Sequence, residues 1–320
     1  MSGFGMMDQI KINGIRLNKN YIQVTQEDID RQDQAPLYQI MESNKINMVF
    51  MSLNTIGEKS FVSGTIASKH FGQMSHQNGY GEYHGNVSTI SIYPHNYKLR
   101  LLGYLLSLLG SHKLPFRHMA SSNAMLTFVV DQENCDGFLE MLSTSFDLPQ
   151  SHVPFEQDEN DELTQFLKKK YPETRATYVE EKIKTYGITL VPDLNLGSYL
   201  FSFDQLAKIR QEIPSMEDKD NKFFHTTAYM SSQEKICFFL LTGKSLEIAA
   251  HKTCTAELLS FHGPHFGDRH SIISRALNCL SQKSIPVLQA DCTGASIGII
   301  LPQGMGGDAK HALMDVFETP

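Results

Sequence analysis

Three histidines, two glycines, a proline, an aspartate and an arginine crowd into residues 260–272, Ser-Phe-His-Gly-Pro-His-Phe-Gly-Asp-Arg-His-Ser-Ile. His262, His265 and His270, with Asp268, are donor types that zinc and iron accept. Their spacing on a glycine turn fits no closed metal site, and no second cluster completes it. With thirteen histidines in the chain, local coincidence is common. The pattern assigns no metal by itself, and a metal-dependent enzyme using loop 262–270 stands as one alternative.

The same stretch also reads as a turn that grips without reacting. Gly263 and Gly267 let the backbone bend sharply and come close to a ligand, and Pro264 stiffens the bend. Asp268 or Ser271 caps the helix that follows. Unsatisfied N–H groups at that helix start, with their partial positive charge, suit a carboxylate. Arg269 adds a two-pronged contact to it, and Asp268 or Asp291 accepts from an amine. A third reading makes the loop purely architectural. Phe266 then plugs a core, Arg269 pairs with Asp268 or Asp291, and any ligand binds elsewhere, for instance at Tyr93–Arg100.

Elements must hold this turn in place, and the chain supplies them in a repeating order. "YIQVT" reads as a strand, "APLYQIMES" as a helix, and "INMVFMSLN" and "EKSFVSGTIA" as a hairpin. "VSTISIYP" is the next strand, followed by a helix with Leu101, Leu102, Leu105, Leu108 and Leu109 on one stripe. Two more strands and a helix carrying Phe138, Leu142 and Phe146 complete that group. The C-terminal end is the clearest. The strand "TAELLSFH" leads to a helix with Ile272, Ile273, Ala276, Leu277 and Leu280 inward. The strands "IPVLQADC" and "SIGIILP" follow, and "GDAKHALMDVFE" closes as a helix.

The two halves overlay at an offset of 171 to 173 residues, with Gly14 over Gly187 and Pro115 over Pro286. Between them, "EQDENDELTQFLKKK" reads as a charged, partly helical connector. Strand–helix–strand–strand–helix–strand is the ferredoxin-like order. The expected fold is α+β, with four ferredoxin-like βαββαβ modules arranged as two tandem pairs. The expected boundaries are 1–78, 79–155, a linker at 156–182, 183–250 and 251–320.

The passages "NGIRLNKNYIQVT", "INMVFMSLNT" and "KSFVSGTIAS", and above all "ELLSFHGPHFGDRHSIISRALNCLSQKSIPVLQADCTGASIGIILP", resemble the tandem ACT domains of the regulatory half of aspartate kinase. That family carries a catalytic domain with a lysine- and glycine-rich nucleotide loop, which has no counterpart here. No G-x-x-x-x-G-K-[ST] occurs either, and "GGDAKH" at 306–311 lacks the strand framework of a phosphate loop. The chain thus looks like a duplicated regulatory region without the kinase.

The resemblance implies a non-catalytic sensor of a small amino acid, lysine or threonine being the family's candidates. It places the ligand at Gly263, Pro264, His265, Phe266, Gly267, Asp268, Arg269 and Asp291. It also implies control of a separate catalytic chain of amino-acid biosynthesis, and homo-oligomers. The family's effector-binding modules often carry an acid early in the second strand. Here Met48, Val49 and Phe50 occupy that stretch, and Asp291 is the acid of the last module.

Bulk composition agrees with a packed globular chain: 41% of residues are apolar and 20% charged. A formal charge of −7 gives no general attraction to nucleic acid or an anionic membrane. No apolar run is long enough to span a bilayer, and "MSGFGMMDQIK" lacks the pattern of a secretion signal. Five scattered cysteines without a C-x-x-C pair read as free thiols in the cytoplasm. No cofactor is expected. A purely structural assembly module is the remaining alternative.

Overall fold

The computed structural model describes residues 10–27, 35–56, 59–74, 82–149, 155–156, 182–213, 216, 222–231, 234–246, 250–263, 266, 271–294 and 296–319. In chain order the first half holds β1 (Gly14–Glu27), α1 (Leu37–Ser43), β2 (Met48–Ile56), β3 (Lys59–Ala67), α2 (Phe71–Met74), β4 (Tyr83–Tyr93), α3 (Leu99–His112), β5 (His118–Ser121), β6 (Leu126–Asp131), α4 (Cys135–Ser145) and β7 (Phe155–Glu156). The second half holds β8 (Ile183–Lys184), β9 (Ile188–Phe201), α5 (Phe203–Glu212), β10 (Phe223–Met230), β11 (Ile236–Thr242), β12 (Lys252–His262), α6 (Ile272–Gln282), β13 (Gln289–Thr293), β14 (Ser296–Pro302), α7 (Gly306–Leu313) and β15 (Phe317–Glu318). The architecture is mixed α and β, with mostly antiparallel pairing. Most of the charged connector lies outside the described residues. The last expected helix is shorter than its pattern: it stops at Leu313, and Phe317 enters β15, pairing in parallel with Ile183 of β8.

The chain divides into two compact units, and each draws on both halves of the sequence. The first comprises residues 1–17, 89–155 and 197–252; the second comprises 18–88, 156–196 and 253–320. Pairing joins strands far apart in sequence, not consecutive groups. In the first unit β5 pairs with β10 (Met119 opposite Ala228), and in the second β2 pairs with β13 (Leu53 opposite Ala290).

The first unit packs the leucine stripe of α3 as its pattern predicts. Leu101, Leu102, Leu105 and Leu109 are buried among Phe116, Phe128, Phe138, Phe201, Leu206 and Ile209. Leu108 is only partly covered. Helices α3 and α5 meet at Gly110, whose missing side chain leaves room for the α5 backbone. A Cβ there would collide with the Ala207 nitrogen, the Phe203 carbonyl oxygen and the Leu206 carbonyl carbon. Gly103 is similarly close-packed, with a Cβ there standing 3.0 Å from Met216 Sδ. The Arg210 guanidinium lies 5.2 Å over the Tyr104 ring, adding a cation–π contact across the same helix pair.

The second unit buries Ile22, Val24, Met51, Leu53, Val62 and Ile66 under its helices, together with Leu259, Ile272, Ile273, Leu277, Leu280, Ile297 and Ile299. Its opposite sheet face is polar, yet equally covered. Because side chains alternate along a strand, Ser52, Asn54, Ser63, Thr65, Gln289, Asp291 and Thr293 share that face, all under 3% exposed. Gln23 Nε2 donates to Ser63 Oγ at 2.6 Å, and Gln289 Nε2 donates to Asn54 Oδ1 at 3.0 Å.

Two tests follow from the first unit. Gly110→Ala forces the α3 and α5 backbones apart, and it should cost about 1–3 kcal/mol in urea unfolding. His118 on β5 is buried beside Tyr229, their rings 5.6 Å apart, and burial lowers its pKa from 6.5 to about 3. Below pH 6.5 the unfolded chain takes up a proton that the folded chain refuses. Stability therefore falls with pH across the window between about 6.5 and 3, by about 2 kcal/mol from pH 7 to 5. Paired urea titrations should find a smaller pH dependence in His118→Gln than in the native chain.

Candidate functional site

Every helix begins with backbone N–H groups that have no partner within the helix, and this chain answers them in different ways. At α5 a capping box does so: Ser202 Oγ accepts from the Gln205 N–H, and Gln205 Oε1 accepts from the Ser202 N–H at 2.9 Å. At α1 the Gln26 side chain accepts from the Leu37 N–H at 2.6 Å. At α7 the buried Glu257 carboxylate accepts from the Gly306 N–H at 2.5 Å. Glu257 thus occupies the position an anion would take, which explains why the glycine-rich 306–311 stretch is not a phosphate cradle.

The turn into α3 is filled by the chain itself. His95 is fully buried; its Nε2 lies 2.7 Å from the Ser122 carbonyl, and its Nδ1 accepts from the Tyr97 N–H at 2.9 Å. Burial lowers its pKa, which keeps the ring neutral in this role. Phe223 packs against it at 5.0 Å. Within Tyr93–Arg100, the His95 ring itself fills the space under the turn.

The N-cap residues of α3, α4 and α6 all make no side-chain capping bond, and the start of α6 borders open space. Ser271 holds the N-cap position with φ 79° and makes no side-chain capping bond. Beside it lies a cleft of about 400 Å³, counted to its open mouth, with only about 20 Å³ accessible to the centre of a water-sized molecule. One wall is Phe266, Ser271, Ile272, Ile273, Ser274 and Cys292; the other is Tyr38, Met41, Ile46, Asn47, Met48 and Met51, from α1 and β2. A register shift between Met48 and Phe50 turns Met48 toward the helix side instead of the polar side that Phe50 shares. Above the cleft, α1 and α6 are joined by polar contacts. Gln39 Nε2 donates to Asn278 Oδ1 at 2.6 Å, and Ser274 Oγ donates to Glu42 Oε2 at 2.6 Å.

Three of the eight residues singled out in the sequence are described, and they do different jobs. Gly263 is buried, but its neighbours are protein: a Cβ would strike the Lys184 carbonyl oxygen and the Phe266 ring. Phe266 is 3% exposed and packs against Phe261 and Phe317, so it plugs the core while its edge lines the cleft. Asp291 is not brought to the cleft, because it lies on the polar sheet face opposite Ser52. Pro264, His265, Gly267, Asp268 and Arg269 lie outside the described residues, as does His270. His262 is exposed, its ring 5.3 Å from that of Tyr186. Among the described residues no three histidine, cysteine or acidic side chains converge as metal ligands.

The α1–β2 wall was missed in the sequence, because it meets α6 only through the pairing of strands from opposite ends of the chain. The chemistry of the lining favours holding over reacting. Burial, with the neighbouring Asp291 carboxylate adding to it, pushes the Cys292 thiol up to about 12, so it stays protonated and poorly nucleophilic at neutral pH.

No protein-family model matches this sequence, and no curated protein matches it. Solved structures do. Aspartate kinase from Synechocystis superposes with a TM-score of 0.70 at 12% identity, over 97% of this chain and 57% of the kinase chain. The ligand-free regulatory subunit of aspartate kinase from Thermus thermophilus aligns over 42% of this chain and 99% of its own. Its identity is 11% and its TM-score 0.36. The Clostridium acetobutylicum aspartate kinase aligns over 45% of this chain and 37% of its own, at 15% identity and a TM-score of 0.33. At such identities the likeness is one of fold, and the fold is similar to that of the Synechocystis aspartate kinase. This chain spans little more than half of that kinase's length. No helix among the described residues is long and apolar enough to cross a membrane.

The cap on α7 offers a direct check. Glu257→Ala leaves the buried Gly306 N–H without its acceptor and should lower stability by about 1–3 kcal/mol in urea unfolding. Glu257→Gln, which keeps an oxygen acceptor, should recover part of that loss.

Proposed function

We propose that the protein is a non-catalytic amino-acid sensor built from four ferredoxin-like, ACT-type modules at residues 1–78, 79–155, 183–250 and 251–320, with a linker at 156–182. Under this reading the couples are first-with-fourth and second-with-third, in keeping with the β2–β13 and β5–β10 pairings. The observation that carries the proposal is the cleft beside the start of α6, where Ser271 makes no side-chain capping bond. The ligand's α-carboxylate takes the N–H groups at that helix start, where the helix dipole favours negative charge.

The fold likeness to the Synechocystis aspartate kinase supports a regulatory role. The sequence has no nucleotide loop, which supports the absence of kinase chemistry. The output is control of a separate catalytic chain, an aspartate kinase or another enzyme of amino-acid biosynthesis, by a cytoplasmic homo-oligomer. Cleft residues come from both partners of a couple, so a bound amino acid favours the arrangement it fits, in proportion to its differential affinity.

A thermal-shift screen of the full chain against the twenty amino acids tests this. One or more should raise the midpoint, with stabilisation of about 2.7 kcal/mol at a hundredfold excess over Kd. Ser271→Asp supplies the missing cap from within, and aspartate tolerates the left-handed conformation at this position. That variant should be more stable without ligand and lose the response. If no amino acid at millimolar concentration moves the native chain, the sensing role is wrong.

A further inference from the structure

We infer that the cleft selects an amino acid with an uncharged, apolar side chain of the thioether or aliphatic kind, and that Met48 swings aside to admit it. This rests on the sensing role proposed above and adds the chemical class of ligand. The described lining includes Met41, Met48, Met51, Phe266, Ile273 and Cys292, and no charged group is among the described residues that form the cleft. A lysine ammonium entering there would shed its water without meeting a carboxylate from the described lining. The nearby Glu42 does not line the cleft, and it already accepts from Ser274 Oγ at 2.6 Å. Unbranched thioether side chains adapt to irregular apolar space and pack well against aromatic edges. Three methionines and a phenylalanine edge are such a surface.

The space also dictates motion. With about 20 Å³ open to water-sized centres, no amino-acid side chain enters the cleft as it stands. Met48 is the movable part, being only partly buried and placed at the register shift in β2. Its resting place is made by Gly64 on β3: a Cβ at Gly64 would stand 2.7 Å from Met48 Sδ and 3.4 Å from Leu37 Cδ2. Gly64 does not itself line the cleft, so Gly64→Ala alters the gate without touching the ligand.

Isothermal titration of the full-length protein with L-methionine, L-leucine, L-lysine and L-threonine decides the matter. Methionine or leucine should bind at least tenfold more tightly than lysine and threonine. Met48→Asp should weaken methionine and leucine at least tenfold and improve lysine. Gly64→Ala should change methionine affinity at least threefold, and it provides a second readout if Met48→Asp does not fold. Tightest binding of lysine or threonine by the native protein would overturn the apolar selection and leave the sensing role standing. Unchanged methionine affinity in both folded variants would remove Met48 as the gate. Binding of none of the four, nor of any other amino acid, would overturn both the selection and the role it rests on.

Discussion

Backbone N–H groups at the start of a helix must find an acceptor, and much of this molecule can be understood from how each set is answered. Ser202 answers for α5, Gln26 for α1, and Glu257 for α7. The turn before α3 is filled by the neutral ring of His95. The acceptors on Gln26, Ser202 and Glu257 close their helix starts to outside molecules, because an internal acceptor within hydrogen-bonding distance has little reason to leave. At α6 the N-cap residue Ser271 makes no side-chain bond, and there the surface opens into a cleft.

The helix pairs differ in the same spirit. In the first unit, Gly110 lets α3 and α5 touch through their backbones, and such a contact has no slack. In the second unit, α1 and α6 meet through Gln39, Asn278, Ser274 and Glu42, a set of side-chain hydrogen bonds that can re-form in other registers. The rigid pair suits a scaffold, and the polar pair beside the cleft suits an element with more than one arrangement.

Much of the local structure was legible in the sequence. The stripes of α3 and α6 bury as their periodicity requires, and Phe138, Leu142 and Phe146 form core contacts. The role of Phe266 as a plug was also among the readings the residues allowed. The side on which Asp291 falls was also written in its strand: Ala290 and Cys292 are apolar and alternate with Gln289, Asp291 and Thr293, which puts the carboxylate on the polar face. Gly263 was read as making room for a ligand, and the neighbours a Cβ there would meet are the Phe266 ring and the Lys184 carbonyl. The α1–β2 wall was out of reach, because periodicity describes one element at a time. Besides its hairpin partner β3, β2 pairs with β13, more than two hundred residues away, and the shift that turns Met48 inward leaves no mark in the letters.

Because each compact unit is assembled from both halves of the chain, neither half contains a whole unit. A break anywhere from residue 157 to 181 would yield two fragments, each with one edge strand of either seam and no complement of its own. The fragments would be complementary, and molecules sharing one solution could trade them. The threading that joins residue 53 to residue 290 thus makes the intact polypeptide a tether, holding together two pieces that already fit.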